Sequence, residues 1–198
     1  MAAVRRCPPD GRDGALVTVV AAFATDPLLR WVWAAQDRYL ACAPSFFGML
    51  LDVRLEGGEV WTADDAGAVA MWDPPGGLYL PVDDQRWEQV RSGFTEEERA
   101  AWAAYDTSMA VPPDAGPHWY LGVLATAPDR WRTGLARAVM APMLAAADRA
   151  RVPAYLETAN GGNLAVYGRF GFEPVREVDL PGGGPRCWLM RRDPQAAT

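Results

Sequence analysis

Lysine and isoleucine are absent from all 198 positions, so each of the 19 basic side chains is an arginine. GC-biased coding is the simplest cause of both gaps. Cysteine is scarce: Cys7, Cys42 and Cys187 are odd in number, widely separated and without metal-ligand spacing. That argues against a disulfide framework and a zinc centre, so no metal is expected, and the three read as thiols of a reducing cytoplasm. Histidine occurs once, as His118. No apolar run approaches the ~18 residues that a membrane span needs. Positive charge is also in deficit, with a formal net charge of −6 and a pI of about 4.8. Nucleic acids and anionic membranes are held by accumulated Lys and Arg, so neither is an expected partner. Any anionic ligand must be met locally.

What the chain does have is hydrophobic mass, 50% of its residues. That suffices for one sizeable core at a length near the upper range of a single domain. One domain over residues 1–198 is expected, with its core at about 3–192 and a frayed tail at 193–198. Near the start, Arg5, Arg6 and Arg12 precede "GALVTVVAAFA", and Ala22-Phe23-Ala24 imitates an export cleavage site. Asp10 and Asp13 interrupt that basic region. Leu16, Val19, Val20 and Phe23 recur at i, i+3, i+4 and i+7, the stripe of an amphipathic helix packed on a core, which is the preferred reading.

The pattern along the chain alternates. "AVRRC" reads as a short strand, Gly14–Thr25 as a helix, "DPLLRWVWAAQ" as a loop or short helix, and Asp37–Leu55 as a helix that Pro44 kinks or restarts. "EVWTADDAGAVAMW" is a hairpin around an Asp-Asp-Ala-Gly turn. Between Asp73 and Pro117, Pro and Gly crowd both ends, but "TEEERAAWAAYDTSM" is helical, with Thr95 and Glu98 forming a capping box. "HWYLGVLATA" is a buried strand, followed by a helix to about Arg151. "PAYLET" is a strand and "NLAVYGRF" a short helix closed by Gly171, and "FEPVREV" and "RCWLMRR" are the final strands. The fold class that follows is α/β (α+β), a sheet of mixed direction flanked by helices.

One segment stands out in an acidic chain. "APDRWRTGLARAVM" places Arg130, Arg132 and Arg137 around a helix start with no acid between them; Asp129 lies just outside. The first turn of a helix leaves N–H groups unpaired and carries partial positive charge, which suits an anion. Gly134 permits close backbone approach, and Thr133 can donate a hydroxyl or cap the helix. An ordinary helix start with solvated arginines accounts equally well for this segment taken alone.

Its context resembles the GNAT acetyltransferase superfamily, whose hallmark is a Gln/Arg-x-x-Gly-x-Gly/Ala turn between a strand and a helix. Here that turn is Trp131-Arg132-Thr133-Gly134-Leu135-Ala136, and "NLAVYGRFGF" resembles the family's Asn-(x)-Tyr-x-x-x-Gly-Phe segment. "AAFATDP", "EVWTADDAGAVAMW", "VPAYLET" and "CWLMRR" agree in order with the puromycin-acetylating branch of the superfamily. The resemblance implies a GNAT-like single domain in which Arg132, Thr133, Gly134, Leu135 and Ala136 cradle the pyrophosphate of acetyl-CoA. It also implies that the strand carrying Val123, Leu124, Ala125 and Thr126 lies along the pantetheine arm, with Asn163 nearby. Trp131 and Arg132 depart from the pattern, the second at a position where glycine is common. If that glycine serves a positive φ, arginine crowds the loop, although the main-chain donors survive.

Amide formation from a thioester needs a neutral amine within reach, donors for the developing oxyanion, and a hydrogen bond for the departing thiolate. Motif position makes Tyr167 the candidate for the last of these. A phenol of pKa ~10 donating to a thiolate of pKa ~8.5 faces an uphill transfer of about 2 kcal/mol, so a bond that tightens in the transition state suffices. Glu157 is the candidate base if burial raises its pKa, with pairing to an arginine as its structural alternative. His118 is a second candidate whose intrinsic pKa suits the work, although a lone histidine at a strand start is more often structural. Trp31, Trp33, Phe46, Phe47, Trp72 and Tyr120 offer apolar walls for an amine. The expectation is a cytoplasmic N-acetyltransferase, monomer or homodimer, acting on the primary amine of a small molecule such as an antibiotic or related metabolite. Its rivals are a protein or peptide N-acetyltransferase and a non-catalytic acyl-CoA sensor.

Overall fold

A computed structural model describes residues 3–77 and 85–196. Seven strands form one sheet in the order β1-β2-β3-β4-β5-β7-β6. They are β1 (Val4–Arg6), β2 (Glu59–Ala63), β3 (Ala68–Asp73), β4 (Trp119–Thr126), β5 (Ala154–Thr158), β6 (Glu173–Asp179) and β7 (Arg186–Arg192). β4 and β5 run parallel, and every other neighbouring pair is antiparallel. The hairpin of β2 and β3 turns at Asp64, Asp65 and Ala66, all with positive φ, and closes with a hydrogen bond from Gly67 N to Asp64 O at 2.9 Å.

Among the described residues seven α-helices flank the sheet: α1 (Arg12–Ala22), α2 (Pro27–Val32), α3 (Gln36–Gly57), α4 (Gln85–Arg91), α5 (Glu96–Met109), α6 (Leu135–Ala150) and α7 (Leu164–Gly168). Side chains from α1, α2, α3 and α5 build a core on one face of the sheet, among them Val19, Leu29, Phe47 and Met109. Those of α6 and α7, among them Leu135, Val139, Met143 and Tyr167, build a second core on the other face. Central β3 is buried at every position, as a strand covered on both faces must be.

Local chemistry explains most boundaries. α1 stops at Ala22, short of the expected Thr25, because Asp26 precedes Pro27 and takes an extended ψ of 130°. Asp26 then caps α2, accepting from Leu28 N at 3.0 Å and Leu29 N at 3.2 Å. α3 continues through Pro44 without the expected restart, since one missing donor is tolerable in a 22-residue helix packed on the core. The capping box of α5 forms in both directions, with Glu98 N to Thr95 Oγ1 at 3.2 Å and Thr95 N to Glu98 Oε2 at 2.8 Å. Within the Pro/Gly-rich Asp73–Pro117 stretch, α4 was not anticipated, and residues 78–84 lie outside the described residues. The expected frayed tail is tied down at Gln195, whose N–H donates to Asp148 Oδ1 at 2.7 Å; residues 197–198 are not described. No helix among the described residues is long and apolar enough to cross a membrane.

Candidate active site

The site begins with a defect in β4. Met71 pairs with Val123 and Trp72 with Leu121, so Gly122 is an extra residue, a bulge that bends the strand. β4 then pairs with β5 only over Trp119–Leu121 and Ala154–Leu156, after which the two parallel strands separate. Arg54 of α3 fills the space beside the bulge, donating from Nη2 to Asp73 Oδ2 at 2.8 Å and from Nη1 to Leu50 O at 3.1 Å. Both partners of this ion pair are buried.

The phase of β4 decides which backbone groups face the gap. Ala127 N donates to Gly67 O at 2.9 Å, so the groups of Ala127 and Ala125 point toward β3, and those of Leu124 and Thr126 point into the gap. Ala125 is therefore not brought to the site: its side chain is buried in the core and its backbone faces Val69. Trp131 covers part of the same edge, its indole Nε1 donating to Thr126 O at 3.0 Å.

The loop from β4 to α6 ends in two left-handed residues, Arg132 at φ +65° and Gly134 at φ +86°. The first sets a positive φ, which glycine adopts without cost, on an arginine. Thr133 does not cap the helix; its hydroxyl donates to Arg130 O at 2.6 Å and tightens the loop instead. No side chain caps α6 and no acid sits in its first turn, leaving the first amides open to a ligand.

These elements border an open cavity of about 720 Å³ lined by Leu124, Thr126, the 130–137 loop and helix start, Asn163, Tyr167 and Arg169. Arg130 is ion-paired to Asp64 across the hairpin turn, while Arg132, Arg137 and Arg169 make no ion pair among the described residues. Free amides and three unpaired guanidinium groups suit a phosphate-bearing ligand, and the strand gap beyond suits an extended arm.

A second cavity of about 230 Å³ adjoins the first, walled by aromatic groups that include Phe46, Phe47, Trp87, Trp102 and Tyr105. Phe23, Asp26, Leu124, Asn163 and Tyr167 line both cavities, so they mark where the two meet. Tyr167 is 8% exposed; burial, with a smaller contribution from the Asp26 charge, holds its phenol well above the ordinary range and keeps it a proton-bearing donor. Its hydroxyl has no hydrogen-bond partner among the described residues. Asn163 reaches toward Thr158 Oγ1 at 3.5 Å.

Glu157 lies in the smaller cavity, at the end of β5 where that strand leaves β4. Burial pushes its pKa up to about 7, against the lowering effect of hydrogen bonds from Tyr105 and Tyr120. Its expected alternative, an arginine ion pair, does not form among the described residues; Tyr105 Oη donates to Oε2 instead. His118 lines neither cavity. It lies beyond the opposite end of β4 from Thr126, roughly 26 Å along the strand, with Nδ1 2.7 Å from Gly116 O and its ring edge-on to Tyr155. Of the expected apolar walls, Phe46, Phe47 and Tyr120 line the smaller cavity, whereas Trp33 and Trp72 are fully buried core and Trp31 packs against Gly184. Gly122, Arg54, Tyr105 and Asp26 were not anticipated. Of these only Asp26 left a signal, the Asp-Pro pair of a capped helix start.

Residues 30–172 match the sequence model of the acetyltransferase (GNAT) family. Among solved structures, a Corynebacterium glutamicum protein described as histone acetyltransferase HPA2 and related acetyltransferase superposes with a TM-score of 0.69 at 22% identity, over 100% of this chain and 98% of that one. Arylalkylamine N-acetyltransferase 2 from Aedes aegypti gives 0.61 at 13% identity over 98% and 99%. Chaetomium thermophilum Naa20, solved with a bisubstrate analogue, gives 0.51 at 15% identity over 97% and 86%. At these identities the superpositions establish the shared fold. With the matched span, the bulged and parted strands and the open helix start together, this chain belongs to the GNAT family, acetyltransferases that use acetyl-CoA.

Proposed function

We propose that this enzyme transfers acetyl from acetyl-CoA to the primary amine of a small molecule. The observation that carries the reading is the meeting of two dissimilar cavities at Tyr167, one ringed by arginine and open amides, the other walled by aromatic side chains. An aromatic-walled pocket of about 230 Å³, partly open to solvent, fits the compact apolar body of a small amine. The ordered likeness to the puromycin-acetylating branch supports the same class and extends it to an antibiotic or related metabolite. Three buried free thiols, Cys7, Cys42 and Cys187, support a cytoplasmic location.

In this scheme the amides of the first turn of α6, with Arg132, Arg137 and Arg169, hold the diphosphate, and the backbone of Leu124 and Thr126 orients the arm. Acetyl-CoA supplies an activated acyl carbon. Glu157 takes one proton from the incoming ammonium, so that a neutral amine attacks the thioester carbonyl. A main-chain N–H of the β4 edge stabilises the charge that grows on the carbonyl oxygen. The C–N bond forms and the C–S bond breaks. Tyr167 donates to the leaving sulfur, and the second amine proton, released as the amide forms, balances the one given to the thiolate. Glu157 returns its proton to solvent.

The test is thiol release from acetyl-CoA with puromycin, aminoglycosides, arylalkylamines, amino acids and short peptides in parallel. Turnover confined to small-molecule amines upholds the proposal. Turnover only with peptides moves the enzyme to the protein-modifying class, and coenzyme binding with no thiol release from any amine makes it a sensor.

A further inference from the structure

The two cavities differ in charge. Around the larger one stand Arg130, Arg132, Arg137 and Arg169. Among the described residues that line the smaller one, the single cation, Arg54, is already paired with Asp73, and the carboxyl groups are those of Asp26 and Glu157. Glu157 has its acceptor capacity partly occupied by the phenols of Tyr105 and Tyr120. Asp26 is different. Both amides it receives, from Leu28 and Leu29, go to Oδ1, so Oδ2 has no hydrogen-bond partner among the described residues.

The carboxyl group is also held rigidly. Capping α2 fixes the side chain, and Pro27 restricts the backbone of the residue before it. The group stands in the wall shared by the two cavities, close enough to Tyr167 for its charge to act on the phenol. A primary amine arrives as an ammonium ion, since such amines have a pKa near ~10. Three N–H donors then need acceptors at the place where transfer occurs, and a fixed carboxylate oxygen with unused lone pairs is the strongest one available.

We infer that Asp26 is the acceptor-binding residue that anchors the substrate ammonium at the junction of the cavities, and that it selects aromatic primary amines with no carboxylate beside the nitrogen. This rests on the small-molecule reading above and deepens it. Asp26 and Glu157 divide the work: the first holds the nitrogen, the second receives its proton. The stacked pair Phe46 and Trp102, with ring centroids 4.8 Å apart, offers the apolar body of the substrate a flat wall. An α-amino acid is rejected because its own carboxylate would face Asp26 across a short distance.

Asparagine caps helices as well as aspartate, so Asp26→Asn removes the charge while keeping the cap. Thiol release would be followed with 2-phenylethylamine, tryptamine and puromycin, with 2-phenylethanol as a neutral competitor of 2-phenylethylamine. The anchor predicts a KM for 2-phenylethylamine at least tenfold higher in the variant, with the KM for acetyl-CoA, the melting temperature and the 2-phenylethanol inhibition constant all within twofold or unchanged. It also predicts that phenylalanine is a much poorer substrate than 2-phenylethylamine in the wild type and that the gap narrows in Asp26→Asn. An unchanged amine KM, or an equal loss of 2-phenylethanol inhibition, overturns the anchor alone. No turnover of any of the three amines by the wild type overturns the anchor and its selectivity, and the small-molecule reading falls with it only if aminoglycosides and amino acids are also inert.

Discussion

The guanidinium of Arg54 stands where a side chain at Gly122 would be: a Cβ built on that glycine meets Arg54 Nη2 at 2.5 Å and Cζ at 3.0 Å. The bulge that parts β4 from β5 is thus braced by a buried cation, which is itself held by Asp73. Gly122→Ala forces Arg54 out and leaves Asp73 buried without its partner, a loss of about 3 kcal/mol or more. For a chain of this size that corresponds to a melting temperature lower by roughly 6–12 °C. Differential scanning calorimetry checks it, and a drop below about 2 °C would show that the guanidinium relocates at little cost.

Tyr167→Phe removes a hydroxyl and leaves the ring that packs edge-on to Phe172 at 6.2 Å. The expected result is a fall in kcat of about 100-fold with coenzyme affinity within twofold of wild type. Calorimetric titration of acetyl-CoA beside thiol-release kinetics separates the two quantities.

Glu157 carries the pH dependence. Its carboxyl loses a proton at about pH 7, so kcat/KM is expected to rise with pH through that value and then level off. Glu157→Gln removes the inflection and lowers kcat by about 10²–10⁴. Because the hydrogen bond from Tyr105 holds the Glu157 pKa down, Tyr105→Phe moves the inflection to higher pH. Stability follows the opposite course. The folded carboxyl keeps its proton up to about pH 7, while an unfolded glutamate releases it near 4.5, so folded protein binds more protons between those values. This group's contribution to stability is complete below the lower value and is lost as pH rises through the higher one. Melting curves should therefore show Glu157→Gln gaining on wild type between pH 5 and pH 8.

Arg132 combines a useful charge with an unfavourable backbone at φ +65°. A left-handed conformation costs a non-glycine residue about 1–2 kcal/mol. Arg132→Gly should melt roughly 2–8 °C higher and bind acetyl-CoA more weakly at low salt, the difference fading as salt screens the remaining arginines. Arg132→Ala loses the charge without the relief of strain, so it should bind more weakly but melt no higher. Titrations at two ionic strengths distinguish the variants.

Much of this was legible in the residues. The hairpin, the capping box at Thr95 and Glu98 and the strand entering the arginine-rich turn depend on local spacing, and all are present; the short helix forms too, but it ends at Gly168 with Arg169 in the C-cap position, and Gly171 at φ +87° lies three residues beyond its end. Leu124, Thr126, Gly134, Asn163 and Tyr167 line the larger cavity, because a strand, a helix start and a motif place them there. What escaped depends on tertiary phase. Nothing local says that Gly122 is unpaired, that the backbone of Ala125 turns toward β3, or that Arg54 from a distant helix fills the bulge. Trp33 and Trp72 looked like pocket walls because composition does not tell a lining aromatic ring from a core one. His118, a candidate base whose commoner role at a strand start is structural, lines neither cavity, and that placement is not visible in local sequence.

The arginine ring around the larger cavity has one more consequence. A guanidinium is a far poorer nucleophile than an amine, so the cations that ring the diphosphate site offer a nearby thioester no amino group to acylate. With lysine absent throughout, stray self-modification at side-chain amines is chemically closed to this protein, and the acyl group is kept for the visitor.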